Sequence, residues 1–247
     1  PLQIIHTNDL HSHLDHARDP AKGSYAAVKA KIDELKGNAH RDGIETLILD
    51  AGDFSEDSQY YLANQGLESW KAMNAMGYDA VVMGNHDFLM GPYYLDKVVG
   101  LAKPTFAFLG ANYIFDWSRR NLVKYMRQYF ETKRAGVRIA VLGLTTDDWE
   151  YSWMSGPGFI YNPIWEAIED LPALKRRNDI VIALTHLGVS KDKTLIRQTA
   201  QLDLVVGGHS HTALHKPSSA VDLRGRTVPI VQAGNHGEYV GDLLVDV

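Results

Sequence analysis

The chain has 247 residues, 45% of them apolar and 22% charged, which is enough for one large domain with a sizeable core. Its net charge is −5 with Lys and Arg scattered, which excludes the basic stripe of a nucleic-acid-binding surface. The absence of cysteine excludes disulfides and zinc–thiolate centres, and no apolar run is long enough to span a membrane. Pro1-Leu2-Gln3 shows no basic and then apolar leader, so the cytoplasm is the default location.

Residues 2–7 predict a first strand, followed by a loop over 9–23 rich in His and Asp. Ser24 is placed to cap a helix over 25–35, in which Ala27, Val28, Lys31, Ile32 and Leu35 recur at helical spacing. Residues 45–50 predict a second strand, 61–76 a helix closed by Gly77, and 79–83 a third strand. Pro92 suits the first turn of a helix that Lys103-Pro104 stops near Ala102, and 105–110 is a short strand. Residues 113–128 carry no clear period, and their basic run over 119–127 reads as a solvated helix face. The turn residues Arg134-Ala135-Gly136 separate two β-rich runs, 129–132 and 137–142, and predict a hairpin. Residues 146–162 read as an irregular loop in which Trp149 and Trp153 form a small satellite core or line a cleft. A helix over 163–177 despite Pro172, a strand at 180–184, a helix over 191–201 and a strand at 204–206 follow, then strands within 228–234 and 241–247. This alternation predicts an α/β fold.

Five of these strands run into polar clusters. The first leads to Asn8-Asp9-Leu10-His11, the second to Asp50-Ala51-Gly52-Asp53 and the third to Gly84-Asn85-His86-Asp87. The strand at 180–184 ends at Thr185-His186, and the one at 204–206 at Gly207-Gly208-His209-Ser210-His211. Ligands of open α/β sheets bind beyond the carboxyl ends of the strands. In an extended segment residues i and i+2 face the same way, so Asp9 with His11, and His209 with His211, could each face one ion. With Asp53, Asn85 and His186 they make seven ligand side chains, enough for two ions. Imidazole and oxygen donors without thiolate suit divalent transition metals, Mn²⁺ first, with Zn²⁺, Fe or Co also suited. Two such ions about 3.5–4 Å apart can clamp the attacking and leaving oxygens of an in-line displacement at phosphorus. They also make hydroxide available near neutral pH.

Together these motifs resemble the calcineurin-like metallophosphoesterases, and most of all their 5′-nucleotidase/2′,3′-cyclic phosphodiesterase branch. His6-Thr7-Asn8-Asp9-Leu10-His11-Ser12-His13 is similar to that branch's opening motif, and Gln232-Ala233-Gly234 with Gly241 to its end, so the resemblance runs from about residue 2 to 247. It implies an α/β/β/α sandwich of two mixed sheets and a catalytic domain over 1–247. It implies that Asp9, His11, Asp53 and His211 hold one metal, that Asp53, Asn85, His186 and His209 hold the other, and that His86 is the unligated catalytic imidazole. The substrate is then a small phosphoester or nucleotide, with no nucleic-acid polymer or membrane as partner and no oligomeric state indicated. Members of the branch carry a separate C-terminal domain that supplies the substrate-binding residues. The sequence ends before one, so no base specificity is expected within it.

One position departs from the pattern. The branch has an aspartate three residues after its catalytic histidine, where this chain has Leu89. Leucine accepts no hydrogen bond, so the His86 pKa is expected to lie lower and less of the ring to be protonated near pH 7, unless Asp87 or a backbone carbonyl orients it. A metal-binding module with weak or no activity is the alternative function. Of the other histidines, His13 and His236 lie near motif positions and could support the ligands. His6 reads as packed and hydrogen-bonded in its strand, and His16, His40 and His215 as solvated.

Overall fold

The computed structural model describes residues 1–15, 23–148 and 159–247. One sheet joins β1 (Leu2–Thr7), β2 (Glu45–Asp50), β3 (Ala80–Val82), β4 (Ala107–Leu109) and β6 (Met126–Arg127) in parallel, with β14 (Gly241–Val245) antiparallel against β1. A second sheet has a parallel centre of β8 (Val137–Thr145), β10 (Ile180–His186), β11 (Leu204–Gly207) and β13 (Thr227–Val231). Its edges are antiparallel, β7 (Tyr129–Arg134) on β8 and β12 (Ser218–Val221) on β13. The short strands β5 (Tyr113–Ile114) and β9 (Phe159–Ile160) pair with each other.

The central strands are apolar on both faces because both faces are covered. From β1, β2, β8 and β10, the residues Leu2, Ile4, Leu47, Leu49, Ile139, Val141, Ile182 and Leu184 form a core between the sheets. Their sequence neighbours point the other way. Ile5, Ile48 and Val81 pack beneath α1 (Tyr25–Arg41), α3 (Leu67–Met76) and α4 (Gly91–Ala102). Ala140, Leu142, Val181 and Ala183 pack beneath α6 (Pro163–Arg177) and α7 (Val189–Arg197). On the first side Trp70 fixes α3, meeting Phe54 and Phe108 edge to face at ring separations of 4.9 Å. The result is the four-layer α/β/β/α sandwich that the sequence implies.

Several boundaries differ from the sequence-based expectation. Helix α1 continues past Leu35 to Arg41, because buried Ala39 gives its last turns an apolar contact that outweighs Gly37. The helix expected over 61–76 is two: α2 (Gln59–Asn64) and α3, separated where Gln65 and Gly66 turn left-handed at φ 57° and 86°. Gly77 closes α3 as expected, at φ 81°. Helix α7 starts at Val189 and stops at Arg197 rather than spanning 191–201. The unreadable stretch holds β5, the short helix α5 (Arg120–Tyr125) and β6, and β12 had no sequence signal of its own. The hairpin β7–β8 forms as expected, its turn made by Ala135 and Gly136 at φ 50° and 82°. Trp149 and Trp153 lie outside the described residues. Among the described residues, no helix is long and apolar enough to cross a membrane.

Candidate metal centre

The parallel strands of both sheets deliver their carboxyl ends to one side of the sandwich, where the five loops are stitched together through the backbone. The loops after β1 and β2 run alongside each other: Asp9 N donates to Gly52 O (2.8 Å), His11 N to Asp53 O (2.9 Å) and Ser12 N to Phe54 O (2.9 Å). The second sheet joins them through His209 N, which donates to the Asp9 carboxylate at 3.0 Å, and its own two loops are held together by Gly188 N, which donates to Gly208 O at 3.0 Å. Asn8, a motif residue with no role assigned from sequence, accepts from Ala233 N (2.7 Å) and donates to Gly234 O (2.6 Å). It thereby ties the 232–234 turn to the first loop.

The side-chain convergence does not come from strand pleat. Asp9, His11, Asp53, His209 and His211 all have left-handed backbones, at φ 52°, 47°, 56°, 77° and 53°. Asp9 and His11 therefore come together through a tight turn just beyond β1, not through the i, i+2 alternation of an extended segment. Each such non-glycine residue costs on the order of 1 kcal/mol, a strain that folded proteins concentrate at functional sites. Gly84 can carry no side chain, since a Cβ there would lie 2.1 Å from Asp53 Oδ1.

Asp9, His11 and His211 bring one donor atom each within 4.8 Å of one another, and so do Asp53, His186 and His209. Asp53 also groups with His11 and His86 in the same way. His11 Nε2 faces His211 Nε2 at 3.1 Å, and His211 Nε2 lies 3.4 Å from Asp9 Oδ1. On the other side His186 Nε2 lies 2.9 Å from Asp53 Oδ2 without hydrogen-bond geometry. Asn85 is buried, and neither its Oδ1 nor its Nδ2 has a hydrogen-bond partner. A buried amide left so costs about 1–3 kcal/mol, which a cation accepted by Oδ1 would relieve. The donor set therefore fits two divalent ions.

The electrostatics agree. Burial alone would raise the Asp53 pKa, but the His186 ring, with His86 and His11, holds it well below the usual carboxylate range. Burial works against a charged His186, yet the Asp53 and Asp9 carboxylates push it up to about 10. In the absence of metal, imidazolium charge neutralises the buried carboxylate. Burial lowers His209 and His11. The ring of His186 is held by Nδ1, which donates to Ala51 O at 2.7 Å, and that of His209 by Nε2, which donates to Asp148 Oδ2 at 3.0 Å. Such outer hydrogen bonds fix which nitrogen faces an ion. Asp148 had no sequence signal.

Two acidic residues near His86 have separate tasks. Asp87 accepts from the backbone N–H groups of Asp53 (2.9 Å), Gly84 (2.8 Å) and Ser55 (3.0 Å) and from Ser55 Oγ (3.1 Å). It is a structural clasp between the second and third loops. It makes no hydrogen bond to the His86 ring, so the expectation that Asp87 could orient His86 is not met. The acceptor is Glu56, whose Oε2 takes a hydrogen bond from His86 Nδ1 at 2.5 Å. Burial lowers the His86 pKa, but the Glu56 hydrogen bond and the Asp53 charge outweigh it and the net shift is upward. The lowered pKa expected from Leu89 is therefore corrected to a raised one, because a residue from another loop supplies the missing acceptor.

The other histidines fall out simply. His13 stacks on His236 with ring centroids 4.0 Å apart, and His236 N donates to Asp9 O at 2.7 Å, which places both beside the first donor group. His6 is packed, with burial pushing its pKa down to about 4, but its Nδ1 has no hydrogen-bond partner. His40 and His215 are exposed, and His16 lies outside the described residues.

The family model for calcineurin-like phosphoesterases matches residues 2–213, and the chain belongs to that family. It aligns with the 5′-nucleotidase branch. It is 32% identical over 99% of its length to the snake venom 5′-nucleotidase of Gloydius brevicauda, covering 45% of that protein. It is 30% identical over 97% of its length to the trifunctional nucleotide phosphoesterase protein YfkN of Bacillus subtilis (strain 168), covering 18% of it. Among solved structures, the 5′-nucleotidase precursor from Thermus thermophilus superposes with a TM-score of 0.84 at 28% identity, over 98% of this chain and 50% of that one. The NAD nucleotidase of Haemophilus influenzae superposes with a TM-score of 0.87 at 26% identity, over 98% of this chain and 46% of that one. The chain thus spans half or less of the length of these relatives.

Asp87→Ala tests the clasp. It leaves four donors without their acceptor, three of them backbone, at about 1–3 kcal/mol for each that stays buried and unpaired. Denaturant unfolding should show a loss of at least about 3 kcal/mol. A loss below about 1 kcal/mol would mean that the two loops hold together without it.

Proposed function

We propose that this chain hydrolyses phosphoesters, nucleotides foremost, using two divalent transition-metal ions, with residues 1–247 forming the catalytic portion. Asp9, His11, Asp53 and His211 would hold one ion, and Asp53, Asn85, His186 and His209 the other. The observation that carries this reading is the shared carboxylate: Asp53 groups with His186 and His209 on one side and with His11, itself a member of the Asp9 and His211 group, on the other, beside the partnerless amide of Asn85. Mn²⁺ is the first choice among the divalent transition metals that mixed imidazole and oxygen donors without thiolate suit, and Zn²⁺, Fe or Co fit the same set. When bound, the ions would activate a water and neutralise phosphate charge. Nucleotidases and a nucleotide phosphoesterase among the relatives support hydrolysis over metal binding alone.

The chain's own residues supply the rest. His86 sits against the shared carboxylate, since its backbone N donates to Asp53 Oδ1 at 2.8 Å. That hydrogen bond leaves the imidazole as a neighbour of the metal donors, and we assign it the role of acid toward the leaving oxygen. Purified protein loaded with Mn²⁺ should turn over phosphomonoesters or 2′,3′-cyclic nucleotides and contain two ions per chain by elemental analysis. Two bound ions without turnover of any phosphoester would leave only a binding module.

Two variants separate the roles. Asp53→Asn should lower the occupancy of both metal positions, and retention of two tightly bound ions would remove Asp53 from the bridge. His86→Ala should keep both ions and lose about 10²–10⁴-fold in kcat, the scale of a positioned acid. Loss of an ion in that variant would make His86 a ligand instead.

Metal uptake should also depend on pH. Because the His186 pKa is raised, the ring still carries a proton at neutral pH and must release it to bind a cation. Apparent affinity should therefore rise from pH 6 to pH 8, by up to about tenfold per pH unit for each proton displaced. Calorimetric titration of the metal-free protein in buffers of different ionisation enthalpy measures that release. Affinity independent of pH would show that no ligand proton is displaced.

A further inference from the structure

We propose that Glu56 is the positioning residue of the catalytic histidine, taking from the second loop the part that a carboxylate at position 89 would otherwise play. This rests on the assignment of His86 as the acid, and it names the residue that sets the ring's tautomer and direction. Glu56 Oε2 lies 2.5 Å from His86 Nδ1, a charge-assisted contact. With Nδ1 engaged, proton exchange with the leaving oxygen falls to Nε2. As the P–O bond breaks, its electron pair leaves with the ester oxygen, and that oxygen takes the Nε2 proton. Nδ1–H stays on the carboxylate, which keeps the ring from turning.

Three features show that the contact is built rather than incidental. Glu56 and Asp57 both have left-handed backbones, at φ 72° and 69°, a conformation that non-glycine residues adopt only when their surroundings hold them there. The arch they form is pinned at both ends. Ser55 N and Oγ donate to Asp87, and Ser58 Oγ donates to Ser12 O at 2.9 Å while Ser58 caps α2. The side chains of His86 and Glu56 are 28% and 26% exposed, so solvent screens the pair and it contributes little to stability. Its value lies in direction. Position 89 is also the natural alternative: His86–Phe88 is a 3₁₀ turn, in which residues i and i+3 eclipse, so a side chain at 89 lies over His86.

The test uses Glu56→Ala, Glu56→Gln and the double variant Glu56→Ala/Leu89→Asp, each loaded with zinc, which is diamagnetic. Kinetics on a leaving-group series should show kcat for an alkyl phosphate falling about 10–10²-fold in Glu56→Ala, part of what a positioned acid supplies. The fall should be smaller for 4-nitrophenyl phosphate, with metal content and KM unchanged, and Leu89→Asp should restore most of the loss. Glu56→Gln, which keeps the side-chain shape, should fall less and serves if alanine unfolds the arch. Independently of activity, ¹⁵N–¹H correlation through the His86 ring should find Nδ1 protonated in the parent and mixed tautomers in Glu56→Ala. Equal losses across the leaving-group series, or ring signals unchanged in Glu56→Ala, would overturn the proposal. A parent protein that hydrolyses no phosphoester would instead overturn the assigned function, and the ring signals would still decide the role of Glu56.

Discussion

A carboxylate that is fully buried can be kept ionised only if positive charge or hydrogen-bond donors surround it, and the carboxylate of Asp53 meets that condition from several directions. Its Oδ1 takes the backbone N–H of His86, and its Oδ2 faces His186. Its own backbone N–H is held by Asp87, and its approach to the third loop is possible only because Gly84 has no Cβ. The loop after β3 and the loop after β10 thus converge on a side chain carried by the loop after β2. Asp53 belongs to two of the three donor groups, as does His11, so removing either side chain would disturb two groups, whereas removing any other member disturbs one.

The sheets make this convergence possible without contributing to the chemistry. Parallel strands put all of their carboxyl ends on one side, and two sheets packed face to face bring two such rows of ends together. The fully buried residues of the core between the sheets are aliphatic, from Leu2 and Ile4 on one side to Ile182 and Leu184 on the other. Close packing of that kind resists deformation, so it can hold left-handed residues at the strand ends that would relax in isolation. The strain sits in a few residues just beyond the strands that the core holds.

The sequence carried the sheets and the donor residues because both leave local marks. Strands buried on both faces read as unbroken apolar runs, and each polar cluster follows such a run directly. Boundaries were harder: Gln65-Gly66 breaks a periodic stretch through backbone conformation alone, and Ala39 prolongs α1 through a tertiary contact. The pairing of Asp9 with His11 was readable as proximity but not as geometry, since nothing in Asp-Leu-His distinguishes an extended segment from a turn. Asp148 and Glu56 had no readable signal, because each reaches a histidine 61 or 30 residues away through folding, not spacing.

The same reasoning explains how Leu89 is tolerated. A histidine acting as an acid needs one nitrogen fixed, and the fold is indifferent to which loop supplies the acceptor, provided that loop cannot drift. The 3₁₀ turn offers position 89 because it eclipses His86, while the second loop offers position 56 because Asp87 and Ser12 pin it on either side. An acceptor on the second loop has one consequence that position 89 could not have. Glu56 follows Asp53 by three residues on the same pinned segment, so the orientation of the acid and the placement of the shared carboxylate are mechanically linked. On the proposed assignment, a shift that moved Asp53 off its position would also turn His86, so metal donors and acid would be lost together rather than one at a time.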